Sequence, residues 1–216
     1  MLIGVLGFIG SGKGTVGDIL EKHGFQKVSF ASKLKDIAAT TFNWPRELLE
    51  GDTEASRLFR EKEDAYWTNK LNRSFSPRIA LQYLGTEVFR DNFDTDFWIH
   101  CLERQIKSEL PEKKFVVTDV RFPNEIHWMN DNNGLLIEVH RSIKPHWFDI
   151  AAKANRGDAN AEYFMRNVAK IHESEWRWIG HNNVETIQND GTIEELEEKV
   201  LRLLTSYFGQ STMNET

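Results

Sequence analysis

A glycine-rich loop near the N-terminus constrains this chain more than any other feature. Gly7–Thr15 reads GFIGSGKGT and directly follows the apolar run Leu2–Leu6. An apolar strand, a glycine-rich turn and a helix form the context of a phosphate-binding loop. The glycines let backbone N–H groups approach phosphate oxygens, and the helix N-terminus adds a favourable dipole. Because Gly7, Gly12 and Lys13 match the G-x4-G-K spacing, the sequence predicts a nucleoside triphosphate site.

One position of the loop departs from the commonest pattern. Gly14 stands where many ATPases and GTPases carry a Mg²⁺-binding hydroxyl, and the hydroxyl comes one residue later, at Thr15. Mg²⁺ would then be held chiefly by phosphate oxygens and waters, on which we expect Asp119, at the end of an apolar strand, to act. The residues predicted to bind ATP are Gly10, Ser11, Gly12, Lys13, Gly14 and Thr15.

Composition limits the classes of protein that remain. The 216 residues suit one domain spanning 1–216, and no apolar run approaches the roughly 20 residues of a membrane span. The net charge is −6 and the basic residues are scattered, which argues against binding a nucleic acid polymer. A single cysteine, Cys101, excludes an internal disulfide and favours a reducing cytoplasm, and the chain enters a strand without a signal sequence.

Apolar strands alternate with helical patterns along the chain. This alternation predicts an α/β P-loop fold of three layers, with a five-stranded parallel sheet and helices on both faces. The predicted strands cover residues 2–6, 25–30, 115–118, 135–139 and 184–188. We expect two helical insertions in this domain, an acceptor-binding region at about 43–110 and a lid-like segment at about 141–183. Ligands of such sheets bind at the carboxyl ends of the strands.

Charged residues follow the predicted strands at this edge. Arg121 lies two residues beyond Asp119, and both are expected to face the same crevice. Arg141 follows the fourth strand, where a cation can neutralise charge that develops on a transferred phosphoryl group. Cations for a second anionic ligand stand at Lys33, Lys35 and Arg78. This set of cations predicts two phosphate-bearing ligands rather than one.

The reaction class follows from what the motifs lack. No general base is conspicuous, and an ionised phosphate acceptor needs none, since it is already nucleophilic. This favours a kinase with a phosphate acceptor. Two alternatives stay open: a kinase for a hydroxyl acceptor, similar to dephospho-coenzyme-A kinases, and a nucleotide-dependent switch. The switch is the weaker of the two, because 69–72 reads Asn-Lys-Leu-Asn and lacks the aspartate of a guanine-reading motif.

The motifs also resemble a known family. The residues that carry the resemblance are Gly10–Thr15, Leu34-Lys35-Asp36, Arg78, Leu81–Thr86, Trp98, Val117–Arg121, His140-Arg141, His172–Glu175 and Asn189–Leu196. In their order and spacing these motifs are similar to those of the deoxynucleoside monophosphate kinases of double-stranded DNA bacteriophages, within the P-loop nucleoside monophosphate kinases.

The resemblance implies transfer of the γ-phosphoryl group of ATP, with Mg²⁺, to a deoxynucleoside monophosphate. The catalytic residues are predicted to be Lys13, Arg121 and Arg141. The residues predicted to bind the acceptor are Lys33, Lys35, Arg78, Gly85, Thr86, Trp98, Asp119 and Arg121, with Trp98 near the base or sugar. We expect no membrane partner and a cytoplasmic protein, in the host cytoplasm if phage-encoded. Monomer and homodimer are both open.

His172 and Glu175 have a spacing that also suits a pair of metal ligands on a helix. No third ligand stands nearby in the sequence, which weighs against a metal site. A hydrogen-bond network or a helix cap is the favoured interpretation of this pair.

Overall fold

The computed structural model describes residues 1–108, 113–141 and 143–211. The chain divides into two compact units, one of Met1–Val28 with Leu110–Thr216 and one of Ser29–Glu109. The first unit contains the phosphate loop, Asp119, Arg121 and Arg141. The second contains the other residues predicted to bind the acceptor.

Strands and helices alternate along the described residues. In chain order they are β1 (Leu2–Leu6), α1 (Lys13–Lys22), β2 (Phe25–Val28), α2 (Ser32–Phe42), a 3-10 turn (Arg46–Leu49), α3 (Glu54–Glu61), α4 (Ala65–Leu71), α5 (Pro77–Tyr83), a π-helical segment (Leu84–Asp91), α6 (Phe97–Lys107), β3 (Lys114–Val117), α7 (Pro123–Asp131), β4 (Leu135–His140), α8 (Phe148–Asn155), α9 (Ala159–Tyr163), a second π-helical turn (Phe164–Val168), a 3-10 turn (Glu173–Glu175), β5 (Val184–Gln188) and α10 (Ile193–Ser211).

The five strands form one parallel sheet in the order β2-β3-β1-β4-β5. Strand β1 is central, with Ile3 opposite Val116 of β3 and Leu135 of β4. The predicted five-stranded parallel sheet is confirmed. The second strand is shorter than expected, because the Ser29 hydroxyl accepts a hydrogen bond from the Ala31 N–H (3.1 Å) and turns the chain.

Helices cover both faces of this sheet. On one face α1 and α10 enclose a buried core built from Ile3, Val5, Val16, Ile19, Leu20, Ile137, Leu196 and Val200. Helix α7 covers the other face, where a Cβ on Gly4 would lie 2.8 Å from the Met129 methyl carbon. The three-layer α/β arrangement predicted from the alternation is therefore present. The sheet carries the ends of β1, β3, β4 and β5 to one edge, where polar groups can meet.

The chain between β4 and β5 is helical in its described part. It contains α8, α9 and two short turns, and it buries two tryptophans, Trp176 and Trp178. The absence of a strand in the described residues of this segment agrees with the sequence pattern. A role as a lid stays a prediction.

In the described residues of the second unit, every regular element is a helix or a helical turn, from α2 to α6. Helix α5 begins as the sequence predicts, since the Ser76 hydroxyl accepts the Ile79 N–H and Pro77 occupies the first helical position. The helix changes to π-helical geometry at Leu84 and keeps it through Asp91. This segment holds Gly85 and Thr86, and π-helical turns are frequent at functional sites.

None of the helices in the described residues combines the length and the apolar composition that a membrane span requires.

Candidate active site

The phosphate loop is shaped by glycines with backbone angles that other residues rarely adopt. Gly7, Gly10 and Gly12 have φ of 141°, 78° and 105°. A buried amide side chain binds the backbone of the loop: Asn189, just after β5, donates from Nδ2 to the Ser11 carbonyl at 2.8 Å. The Asn189 N–H in turn donates to the His140 carbonyl at 2.6 Å. Through these two hydrogen bonds, Asn189 connects the phosphate loop to the end of β4.

Gly12 is required by both its backbone angle and its surroundings. A Cβ there would lie 2.2 Å from Asn189 Nδ2, whereas one on Gly14 would meet nothing within 4 Å. We expect Gly12→Ala to lower the free energy of unfolding by about 1–3 kcal/mol. Gly14→Ala, the matched control in the first turn of α1, should be neutral or stabilising by about 0.5–1 kcal/mol. Urea unfolding measures both, and equal stability of the two variants would contradict this account.

Lys13 folds back over the loop. Its ammonium donates to the carbonyls of Gly7 at 2.9 Å and Phe8 at 2.8 Å. The pKa of Lys13 is lowered to about 8, chiefly by burial and next by the nearby Arg121 guanidinium. Glu175 and Asp119 oppose this shift and raise the pKa. Two cations and two carboxylates thus lie close enough to interact at the phosphate loop.

The lowered pKa of Lys13 predicts a pH dependence of triphosphate binding. Bound phosphate favours the ammonium, so above pH about 8 binding must take up a proton. Affinity for ATP should then fall as pH rises from about 8 toward about 10.4, the ordinary lysine value. Titration calorimetry in buffers of different ionisation heat measures this uptake. Lys13→Met should bind ATP weakly and lose the uptake, and an unchanged uptake in that variant would contradict the assignment.

Arg121 is fixed at its backbone and at its side chain. The buried Glu125 carboxylate accepts the N–H groups of Arg121 at 2.7 Å and Phe122 at 3.1 Å. The guanidinium donates to the Ser174 carbonyl at 3.3 Å and to Glu175 Oε1 at 3.1 Å. Sequence reasoning missed both carboxylates as partners of Arg121. Glu125 is the third residue of α7, which begins at Pro123. A glutamate at this position is typical of a capping box, and this pattern could have identified Glu125.

The segment between β4 and β5 packs on the phosphate loop itself. The Phe8 ring lies 4.9 Å from the Trp178 ring, 5.7 Å from Trp147 and 6.0 Å from Phe148, between ring centroids. Aromatic contacts of this kind fix the relative position of two segments beyond the apolar area they bury. The loop is therefore supported by the same segment that binds the Arg121 side chain.

The His172–Glu175 pair has the role that the sequence analysis favours. His172 Nδ1 accepts the Ser174 N–H at 3.3 Å and so caps the 3-10 turn, while Glu175 binds Arg121. Among the described residues, no group of three or more His, Cys, Asp or Glu side chains could hold a metal ion.

The groups at the loop fit ATP and a water-bound Mg²⁺. The Ser11 hydroxyl is buried and has no hydrogen-bond partner among the described residues, which suits a loop that binds phosphate oxygens. Asp119 is the carboxylate at the end of β3, close enough to Lys13 to raise the lysine pKa. A carboxylate that follows β3 beside a phosphate loop suits Mg²⁺ held mainly by phosphates and waters.

Arg141 follows the last residue of β4 and is exposed. Its position after β4 agrees with the sequence pattern, and its catalytic role stays a prediction.

The predicted acceptor cations of the second unit are all paired with carboxylates. Lys35 Nζ lies 2.5 Å from Glu50 Oε2, Arg78 Nη1 lies 2.9 Å from Glu61 Oε1, and Lys33 Nζ lies 3.3 Å from Asp36 Oδ2. Glu50 also binds Arg46, so it links two cations. Sequence reasoning did not assign any role to Glu50 or Glu61, which stand in a charge-dense stretch without a distinctive motif.

Trp98 organises the π-helical segment of the same unit. It is 3% exposed, and its indole Nε1 donates to the Gly85 carbonyl at 2.8 Å. Gly85 in turn packs tightly, since a Cβ there would lie 2.8 Å from Leu34 Cδ2. Trp98, Gly85 and the neighbouring Thr86 are therefore parts of one packed turn. Contact of Trp98 with a base or sugar stays a prediction.

Comparisons with known proteins show the family of this chain. The model of the deoxynucleotide monophosphate kinase family matches residues 50–150. A putative deoxynucleotide monophosphate kinase of Acanthamoeba polyphaga mimivirus is 31% identical over 152 residues, which are 65% of this chain and 74% of the viral protein. The chain belongs to the deoxynucleotide monophosphate kinase family.

A second relative and two solved structures are also similar. A deoxynucleoside-5'-monophosphate kinase of Escherichia phage T5 is 30% identical over 118 residues, 55% of this chain, and the chain spans 42% of the phage protein. A crystal structure from Thermus thermophilus has a TM-score of 0.45 at 21% identity, covering 95% of this chain and 97% of that one. A dephospho-CoA kinase from Campylobacter jejuni has a TM-score of 0.44 at 17% identity, covering 97% and 98%.

Proposed function

We propose that this protein transfers the γ-phosphoryl group of ATP to a deoxynucleoside monophosphate, giving the diphosphate and ADP. The observation that supports the proposal is that Lys13, Arg121 and Asp119 lie close enough to interact at the phosphate loop. The chain also belongs to the deoxynucleotide monophosphate kinase family. Two cations beside one loop can neutralise charge on both donor and acceptor phosphates. Phosphoryl transfer between phosphates needs this positioning and neutralisation rather than a general base.

In this proposal the loop residues Gly10–Thr15 bind ATP. The ammonium of Lys13 exchanges its bonds to the Gly7 and Phe8 carbonyls for bonds to the β- and γ-phosphates. Arg121 faces the phosphoryl group in transfer and the acceptor phosphate, and Arg141 adds a further cation. Asp119 would hold the waters of a bound Mg²⁺, which would supply neutralisation of phosphate charge.

We further propose that the helical unit supplies the acceptor site. Lys33, Lys35 and Arg78 carry charge that a monophosphate can share with the carboxylates now paired to them. Gly85 and Thr86 offer backbone and hydroxyl groups in a π-helical segment held by Trp98. The approximate bounds 43–110 for the acceptor-binding region and 141–183 for a lid within a single domain 1–216 belong to the same proposal.

A coupled ADP-release assay tests the reaction. With ATP, Mg²⁺ and each of the four deoxynucleoside monophosphates, at least one acceptor should produce ADP well above the rate with ATP alone. The ribonucleoside monophosphates measure sugar preference, and dephospho-coenzyme A tests the hydroxyl-acceptor alternative. ADP formation with that acceptor alone, or with none, would refute the proposal.

The remaining proposals concern the setting of the enzyme. We propose a cytoplasmic location, in the host cytoplasm if a phage encodes the protein, with no nucleic acid polymer or membrane as partner. Light scattering after size-exclusion chromatography decides between monomer and homodimer.

A further inference from the structure

We infer that Glu175 is a positioning residue for the proposed phosphoryl transfer: together with the Ser174 carbonyl, its carboxylate fixes the Arg121 guanidinium beside the phosphate loop. The inference rests on the proposed function and adds a residue to it. Nothing in the ATP-binding motif requires Glu175, which lies 54 residues from Arg121 in sequence.

Arg121 is held both at its backbone and at its guanidinium. The buried Glu125 accepts its backbone N–H. Its guanidinium donates to Ser174 O and Glu175 Oε1, which lie on the same 3-10 turn. The side chains of Arg121 and Glu175 are 31% and 19% exposed, so water competes only in part for this ion pair. A charge-assisted bond in such surroundings restricts the guanidinium to one position.

Glu175 is itself fixed relative to the phosphate loop. Its carbonyl accepts a hydrogen bond from Trp178 Nε1 at 3.1 Å, and the buried Trp178 ring packs against Phe8 of the loop. The 3-10 turn is capped by His172. A continuous set of contacts therefore runs from the loop through Trp178 and Glu175 to Arg121.

Charge adds a second reason for a carboxylate at this position. Arg121 and Lys13 are both cations near the loop, and each disfavours the charge of the other. Glu175 binds the first and attracts the second, and Asp119 also attracts Lys13. The carboxylate of Glu175 thus offsets the repulsion between the Arg121 and Lys13 cations at the phosphate loop.

The test compares Glu175→Gln with Glu175→Asp and with the matched control Glu173→Gln. Glu173 lies on the same 3-10 turn and pairs with Arg166 and Arg177 instead of Arg121. We expect Glu175→Gln to lower kcat by roughly 10- to 100-fold, because a displaced guanidinium no longer meets the transferred group. The KM for ATP should change by less than about threefold, since Lys13 and the loop remain. Glu175→Asp should recover part of kcat, and Glu173→Gln should keep it.

A pH readout separates positioning from a merely structural role. Loss of the carboxylate alone would lower the pKa of Lys13, but displacement of the Arg121 guanidinium removes a larger, opposite effect on that pKa. The pH at which ATP affinity begins to fall should therefore move up in Glu175→Gln and not in Glu173→Gln. Wild-type kcat in Glu175→Gln would overturn the inference. Equal losses of kcat and Tm in both Gln variants, with an unmoved pH profile, would overturn it as well.

The two proposals fail in distinguishable ways. If the wild-type protein forms no acceptor-dependent ADP, the proposed reaction is refuted. The pH profile of ATP binding, measured by calorimetry without any acceptor, then still tests whether Glu175 orders the charges at the loop. An unmoved profile in Glu175→Gln refutes that as well.

Discussion

Replacement of Lys13 by alanine should lower kcat by about 10³-fold or more, the size of effect seen when a preorganised group that stabilises transition-state charge is removed. The ammonium lies against the Gly7 and Phe8 carbonyls and can turn toward phosphate without leaving the loop. In its absence the charge on the β- and γ-phosphates has no cation from the loop. Steady-state kinetics with saturating ATP and acceptor measures the loss.

The fold should survive this substitution. Lys13→Ala removes two hydrogen bonds to backbone carbonyls, worth about 1 kcal/mol each, and also removes the cost of partly burying an ammonium. We expect a far-UV circular dichroism spectrum like that of the wild type and a Tm within several degrees of it. Lys13→Arg retains the charge in a different shape and should remain well below wild-type activity. A kcat for Lys13→Ala like that of the wild type would refute the role of this residue.

Replacement of Arg121 by alanine should act on the acceptor. We expect the KM for the monophosphate to rise by about 10- to 100-fold, the effect of losing a hydrogen bond to a charged group. The KM for ATP should change far less, because the loop and Lys13 stay in place. A drop in kcat should accompany these changes, because in the proposed reaction the guanidinium also faces the phosphoryl group in transfer.

Two controls make the result for Arg121 specific. Arg166→Ala removes another arginine that pairs with carboxylates of the same segment, and its KM values should stay near those of the wild type. Arg121→Lys keeps a charge but loses the planar fork and should recover only part of the activity. Equal rises in the KM values for ATP and acceptor after Arg121→Ala would contradict the assignment of this residue to the acceptor side.

Much of the fold could be predicted because its signals are local. The strands Leu2–Leu6 and Val184–Gln188 have the bounds that the apolar patterns predict. Thr192 and Glu195 have the spacing of a capping box and form one, with the Glu195 N–H donating to Thr192 Oγ1 at 3.3 Å and Glu195 accepting the Thr192 N–H at 2.9 Å. These features depend on neighbours within a few residues, which a sequence displays directly.

The apolar pattern of the sequence is less informative where a helix can be either α-helical or π-helical. The apolar stripe after Pro77 predicts one continuous helix, but the chain changes to a π-helical segment at Leu84. In this segment the Gly85 carbonyl accepts a hydrogen bond from the indole of Trp98, thirteen residues away. A short-range periodicity does not contain the information for such a tertiary contact.

The phosphate loop, the parallel sheet and the cations at the strand ends could be predicted from the sequence, because glycine spacing and apolar periodicity act over short range. Which groups hold those cations and that loop depends on the tertiary structure. Asn189 bonds to Ser11 across 178 residues, and Glu175 bonds to Arg121 across 54. Such pairs form because the fold brings distant strand ends and turns together, and a hydrogen bond depends on that distance in space rather than on separation along the chain.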